Sequence, residues 1–144
     1  MANYEQPFED TQALFDEAIN AADLSRFVTI RVLTNNKAKE LFKVNKANDL
    51  VKYLSHDDVI IIINEGLFEG LTDDQKRIVV DEAIAYISYD MENDKLIITK
   101  PDFIAHSGVL RKYGFEALEV VRESVKTLAQ AQRQTDDETE QITN

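Results

Sequence analysis

The feature that most constrains the fold is a long apolar helix pattern in the middle of the chain. Thr72 and Gln75 have the spacing of a capping box, in which each side chain bonds to the other residue's backbone N–H. From there the sequence predicts a helix to about Tyr89. Its apolar residues fall on most of its faces: Ile78, Val79, Val80, Ala83, Ile84, Ala85 and Ile87. Such a helix has to be buried between other layers.

Strand patterns on either side of this helix predict a sheet for it to pack against. Val59–Ile63 is wholly apolar and strand-sized, which is typical of a central strand buried on both faces. Arg26–Leu33 alternates and is rich in β-branched residues. Asn93–Asp94 reverses the chain into another strand pattern, Lys95–Thr99. We therefore expect an α+β fold, a small mixed sheet packed against a buried helix.

Further helices complete the predicted domain. Lys37–Phe42 reads as a short helix and Ala47–Leu54 as another, the latter with an inward face formed by Leu50, Val51 and Leu54. Phe115–Ala131 has apolar residues at helical spacing and predicts a long C-terminal amphipathic helix. Residues 1–133 are thus predicted to form a single domain, and residues 134–144 a disordered acidic tail.

Composition excludes several classes of protein. The chain of 144 residues contains no cysteine, which rules out disulfides, a thiolate nucleophile and a cysteine-based zinc site. No apolar run approaches the ~20 residues of a membrane span, and the acidic N-terminus is unlike a signal peptide. We therefore expect a cytoplasmic protein that does not contact membranes. The formal charge of −11 repels nucleic acid, so direct nucleic-acid binding is not expected.

One stretch departs from this acidic character. Residues 26–52 carry seven basic residues against two acidic ones. A local basic face can contact a phosphate or an acidic partner, although solvated helix faces of mixed charge are the simpler interpretation. The candidate binding residues are Arg26, Arg31, Lys37, Lys39 and Lys43, together with Arg122 and Lys126 on the C-terminal helix.

The buried helix also carries a partial match to a zinc-hydrolase pattern. In that pattern two histidines at i and i+4 bind the metal from one face of a helix, and a glutamate at i+1 is the base. Here the corresponding positions are Asp81, Glu82 and Ala85. Only the glutamate remains, and alanine cannot bind a metal.

The surrounding sequence gives the partial match a context. The strand Val59–Ile63 is followed by Asn64–Glu65, then by Leu67–Phe68 and the helix start Leu71–Gln75, and Tyr113–Gly114 ends a later helix. Over roughly residues 33–114 this order resembles the phage metallopeptidase family. The resemblance implies a zincin-like framework of strand, active-site helix and hairpin.

The same resemblance implies that the catalytic site has been lost. The family pattern places histidine ligands where this chain has Asp81, Ala85 and Pro101, while Glu82 stands as a relic of the base. We therefore expect no hydrolase activity, no metal and no other cofactor.

Two groups of acidic residues could form other metal sites. Asp81, Glu82 and Asp102 could bind a hard cation, but adjacent helix residues project about 100° apart, and Asp102 can cap a helix. The Asp90–Asp94 hairpin resembles a calcium loop yet has Lys95 at the glycine position. Structural roles are the simpler interpretation of both.

Two functions remain open at this stage. The first is a non-catalytic, phage-encoded protein that binds a host or phage protein, as a virion or accessory component or as an effector. It would reside in the host cytoplasm or in the virion and could also self-assemble. The alternative is an acidic inhibitor that mimics nucleic acid in the groove of a host enzyme, which the charge permits and the basic stretch disfavours.

Overall fold

The computed structural model describes residues 4–99, 112–113 and 115–143 of the chain. In order the elements are α1 Glu9–Ala21, β1 Ile30–Thr34, β2 Phe42–Lys46, α2 Asp49–Ser55, β3 Val59–Ile63, α3 Glu65–Glu69, α4 Asp73–Ala85, β4 Ile87–Asp90, β5 Lys95–Ile98 and α5 Phe115–Thr143. This combination of helices with small mixed sheets confirms the α+β prediction.

The first sheet has three strands in the order β1-β3-β2, with β3 at the centre. β1 runs parallel to β3 and β2 runs antiparallel to it, so the sheet is mixed as predicted. Val59, Ile61 and Ile63 of β3 are fully buried, whereas the alternate residues Ile60 and Ile62 are only half-buried. The prediction of burial on both faces is therefore wrong for the outer face, which no helix fully covers in the described part of the chain.

The core lies between the inner face of this sheet and the helices α1, α4 and α5. It contains Phe15 and Ile19 of α1, the inner residues of β3, and Val121 of α5. From α4 it takes Ile78, Val79, Val80, Ala83 and Ile84. The buried helix predicted from its pattern is thus α4, and it holds the central place that the pattern requires.

The predicted helix is shorter than its apolar pattern. It ends at Ala85, and Ile87–Asp90 forms β4, which pairs antiparallel with β5 in a second, two-stranded sheet. The residues after Tyr86 alternate along the strand, with Ile87 buried and Ser88 exposed. Cross-strand pairing with the hairpin partner outweighs continuation of the helix.

Two local predictions before β3 are also wrong. Phe42 does not end a helix but begins β2, because residues 42–46 gain a full ladder with β3. α2 forms as predicted, capped by Asn48, but its inward face does not: Leu50 is 66% exposed and Leu54 is 70% exposed. Leu and Phe in short segments fix neither the element type nor the buried face without tertiary pairing.

The C-terminal helix α5 is confirmed but is longer than predicted. It continues to Thr143, through the residues for which the sequence predicts a disordered tail. Residues 132–143 contain no glycine or proline, so nothing in their sequence stops the helix. The domain boundary at residue 133 stays a prediction.

Within the described residues, no helix has both the length and the apolar character needed to cross a membrane.

Candidate functional site

Two of the positions to which the family resemblance assigns metal ligands lie on α4, whose first turn is anchored by its capping box. The Thr72 hydroxyl accepts the backbone N–H of Gln75 at 3.2 Å, and the Gln75 side chain accepts the Thr72 N–H at 3.0 Å. Gln75 also donates to the Ser124 hydroxyl of α5 at 3.1 Å. The capping box predicted from the sequence thus also joins α4 to α5.

Asp81, at the first ligand position, is bound by two donors from the chain that precedes α5. Lys112 Nζ donates to Asp81 Oδ2 at 2.7 Å, and the Tyr113 hydroxyl donates to the same oxygen. The hydrogen bond from Lys112 to Asp81 raises the pKa of Lys112. Burial raises the pKa of Tyr113, and the hydrogen bond from Tyr113 to Asp81 raises it further. The Asp81 carboxylate is therefore engaged by a cation and a phenol.

Glu82, at the position that the family pattern assigns to the base, contacts a different segment from Asp81. Its side chain is 14% exposed, and its Oε1 lies 3.5 Å from an Arg122 guanidinium nitrogen of α5. Burial raises the pKa of the Glu82 carboxyl, and the charge of Arg122 opposes this rise. Asp81 and Glu82 thus have separate partners on separate segments, as expected for neighbours on a helix.

The remaining ligand positions supply no donor atom. Ala85 packs against the hydrophobic core. Pro101, like Asp102 and His106, lies outside the described residues, and proline has no side-chain ligand in any case. Nowhere in the described chain do three histidine, aspartate or glutamate residues gather as a metal would require. The residues at these positions do not fit the zinc that the family pattern implies.

A cleft of about 280 Å³ opens beside Glu82, between α4, α5 and the start of β2. Its walls are apolar, formed by Leu41, Phe42, Val79, Val121 and Val125. Three charged side chains line the same cleft: Glu82, Arg122 and Lys126. The structure therefore places two of the predicted binding residues, Arg122 and Lys126, in the same cleft as Glu82.

The other predicted binding residues lie apart from this cleft. Lys39 and Lys43 line a second depression of about 390 Å³ with Tyr4, on the outer face of the three-stranded sheet. Lys37 follows the turn at Asn35, whose side chain accepts the Lys37 N–H at 3.1 Å. The predicted set thus divides between at least two surfaces.

The two arginines of the set already have acidic partners. Arg31 Nε donates to the buried Asp57 at 2.5 Å, and Arg26 lies 3.5 Å from Asp23. Arg31 shares the outer sheet face because it pairs in register with Ile60. Their charge is partly neutralised, so the lysines are the freer cations of the outer face.

In the Asp90–Asp94 hairpin, which resembles a calcium loop, the first carboxylate accepts hydrogen bonds from the hairpin itself. Asp90 accepts from the Asn93 side chain at 2.6 Å and from the Glu92 N–H at 3.1 Å. The bonds from Asn93 lower the pKa of Asp90, although it is a surface group. Its oxygens stabilise the turn, which favours the structural interpretation of this segment.

Two buried polar residues, Asn64 and Glu65, directly follow β3, and the sequence did not predict their burial or their contacts. Asn64 is fully buried: its Nδ2 donates to the Ala38 carbonyl at 2.9 Å and to Gln132 at 3.1 Å, and its Oδ1 caps α3. Glu65 is 4% exposed and accepts the Phe8 N–H at 2.9 Å, where α1 begins. The sequence signal that could have predicted their burial is their position directly after an apolar central strand.

Comparison with known proteins gives one match. The family model described as putative phage metallopeptidase matches residues 8–132, most of the chain. No curated protein and no solved structure matches the chain.

Proposed function

The chain belongs to the putative phage metallopeptidase family, and we propose that this member has lost hydrolysis and acts by binding another protein. The observation that carries the proposal is the replacement of the metal site by ordinary structural contacts. Asp81 is held by Lys112 and Tyr113, Glu82 is near Arg122, and Ala85 packs against the core. A zinc ion needs at least three donors from the protein, and these positions offer one engaged carboxylate.

The lysines on the outer face of the sheet support a contact with an acidic partner. Lys39 and Lys43 are exposed, line one depression together with Glu40, and have no ion pair within the described part of the chain. Half-buried Ile60 and Ile62 lie on the same face of the sheet as Lys43, which pairs in register with Ile62. An apolar strip with cations at its side suits a protein segment that combines apolar and acidic residues.

Metal content is the first test of this proposal. Purified protein incubated with zinc and then desalted should hold well under one zinc per chain. The triple variant Asp81→His, Ala85→His and Pro101→His restores the histidines of the family pattern and is the matched positive control. One zinc per unmodified chain, together with peptidase activity, would overturn the proposal.

Partner capture from the phage host, with and without phage infection, is the second test. Replacing Lys39 and Lys43 by glutamate should abolish recovery of the partner, whereas Lys95→Glu, an exposed lysine on β5, should not. Recovery of a nucleic-acid enzyme that is lost in high salt would instead favour the mimicry alternative. Equal recovery by all variants would rule out the lysine face as the contact.

A further inference from the structure

The cleft beside Glu82 has the composition of a small ligand site. Its five apolar side chains come from the segment before β2, from β2 itself, from α4 and from α5. Ligand pockets are mostly apolar with a few convergent polar groups, and they usually measure ~300–1,000 Å³. At about 280 Å³ this cleft is at the small end and suits a single apolar residue.

The polar groups of the cleft carry a net positive charge. Arg122 and Lys126 are four residues apart on α5, so they lie on one face of that helix. Among the residues that the structure describes, Glu82 is the only acidic one that lines the cleft. One positive charge therefore remains unbalanced in the cleft of a chain whose overall charge is −11.

Arg122 is incompletely used by its contact with Glu82. A guanidinium has five N–H donors and binds carboxylates best through two parallel hydrogen bonds. The contact to Glu82 is a single one of 3.5 Å, at the long limit of hydrogen bonding. Arg122 therefore keeps donors for a second carboxylate, and the Arg122 side chain is 36% exposed.

We propose that this cleft binds the free carboxylate of an apolar C-terminal residue, with Arg122 and Lys126 on the carboxylate and the apolar wall around the side chain. This site is separate from the lysine face of the sheet. It gives the former active-site helix a binding role that requires no metal. A free apolar amino acid and the end of a peptide share this chemistry, so the experiment includes both.

The test is to titrate the full chain with small carboxylate ligands and to measure binding from the NMR chemical shifts of its valine methyl groups. N-acetyl-leucine and a pentapeptide ending in leucine should both shift the Val121 and Val125 signals. N-acetyl-leucinamide has the same side chain without the charge, and it should bind at least tenfold more weakly. Tighter binding of the pentapeptide would identify a peptide terminus as the ligand, and equal binding would identify the single residue.

Variants separate the role of Arg122 from its structural pairing. Glu82→Gln should bind N-acetyl-leucine more tightly, because a competing carboxylate is removed. The double variant Glu82→Gln with Arg122→Gln removes the guanidinium without stranding the Glu82 carboxylate, keeps Lys126, and should lose most of the binding. Lys126→Gln should weaken binding several-fold, and Lys95→Gln on β5 should have no effect.

Some results would overturn the proposal. These are equal affinity for the acid and the amide, unchanged binding in the double variant, or no binding by the unmodified chain. None of them bears on zinc content or on partner capture through Lys39 and Lys43, so the proposed function would stand or fall separately.

Discussion

At the scale of single residues, Glu82 has contacts typical of a structural carboxylate, as the proposed loss of hydrolysis requires. A general base in a hydrolase has to be near a reactive water and poised to take a proton. Here the carboxylate is largely buried, with one distant contact to Arg122. Burial disfavours its charged form more than Arg122 favours it, since the pKa of Glu82 is raised.

The raised pKa of Glu82 determines whether its contribution to stability rises or falls with pH. Because the pKa of Glu82 is higher in the folded chain than its ordinary value of 4.5, the folded state binds the proton more readily than the unfolded state does. The Glu82 contribution should therefore decrease as pH rises from about 4.5 through the folded pKa. Glu82→Gln should remove this dependence and be at least as stable as the unmodified chain at neutral pH.

Urea unfolding of both chains across the acidic to neutral range would measure the difference in the free energy of unfolding. That difference should grow in favour of Glu82→Gln with rising pH and level off above the folded pKa. Glu92→Gln, at an exposed hairpin position, is the control and should show no such trend. A loss of stability in Glu82→Gln that increases with pH would mean that the ion pair with Arg122 dominates over burial.

The sequence predicted where Glu82 lies but not what it contacts. Helical periodicity alone separates Asp81 from Glu82 by about 100°, and the structure gives them different partners. The partner Arg122 is 40 residues away, and it was predicted as a candidate binding residue and not as a partner of Glu82. Pairing at that distance depends on how α4 and α5 cross, which local patterns do not encode.

At the scale of elements, strong patterns were predicted well and short ones were not. The capping box, the central strand and the C-terminal helix each rest on several agreeing signals. The short helix predicted for Lys37–Phe42 does not form, and Phe42 instead begins β2, because Leu41 and Phe42 suit either element and only the ladder with β3 decides. The exposed face of α2 was likewise unpredictable, since an apolar stripe indicates a buried face only if another element covers it.

Asn64 joins three elements, and we expect its removal to destabilise more than one of them. It caps α3, bonds to the segment before β2 and bonds to Gln132 of α5. Asn48 is the matched control because it caps α2 through the same kind of bond to Val51 at 2.9 Å, yet is exposed. Loss of a cap costs ~1 kcal/mol, and leaving the half-buried Ala38 carbonyl and Gln132 amide without a partner adds ~1–3 kcal/mol in total.

Asn64→Ala should therefore lower the free energy of unfolding by about 2–4 kcal/mol, and Asn48→Ala by about 1 kcal/mol. Chemical denaturation with both variants measures this directly. Native-state hydrogen exchange should show the additional loss of protection in α3 and at the Gln132 end of α5. Equal effects of the two substitutions would mean that Asn64 acts only as a cap.

At the scale of the whole molecule, the fold is closed by α5. This helix covers α4 through Val121, contacts α3 through Leu128 and reaches Asn64 through Gln132. Gly70 allows the close approach of Leu128, because an added Cβ would lie 2.7 Å from a Leu128 methyl carbon and that side chain would have to shift. Gln132 is the last residue of α5 for which the structure describes a tertiary contact.

Truncation therefore tests both the predicted domain boundary and the length of α5. A chain ending at residue 133 keeps Leu128 and Gln132, so its free energy of unfolding should equal that of the full chain. Its far-UV circular dichroism should nevertheless show less helix, because α5 extends to Thr143.

A chain ending at residue 126 loses both contacts and should be less stable by about 2–4 kcal/mol. If the chain ending at 133 were destabilised as well, the domain would extend beyond the predicted boundary, and an unchanged helical signal would instead support the disordered tail.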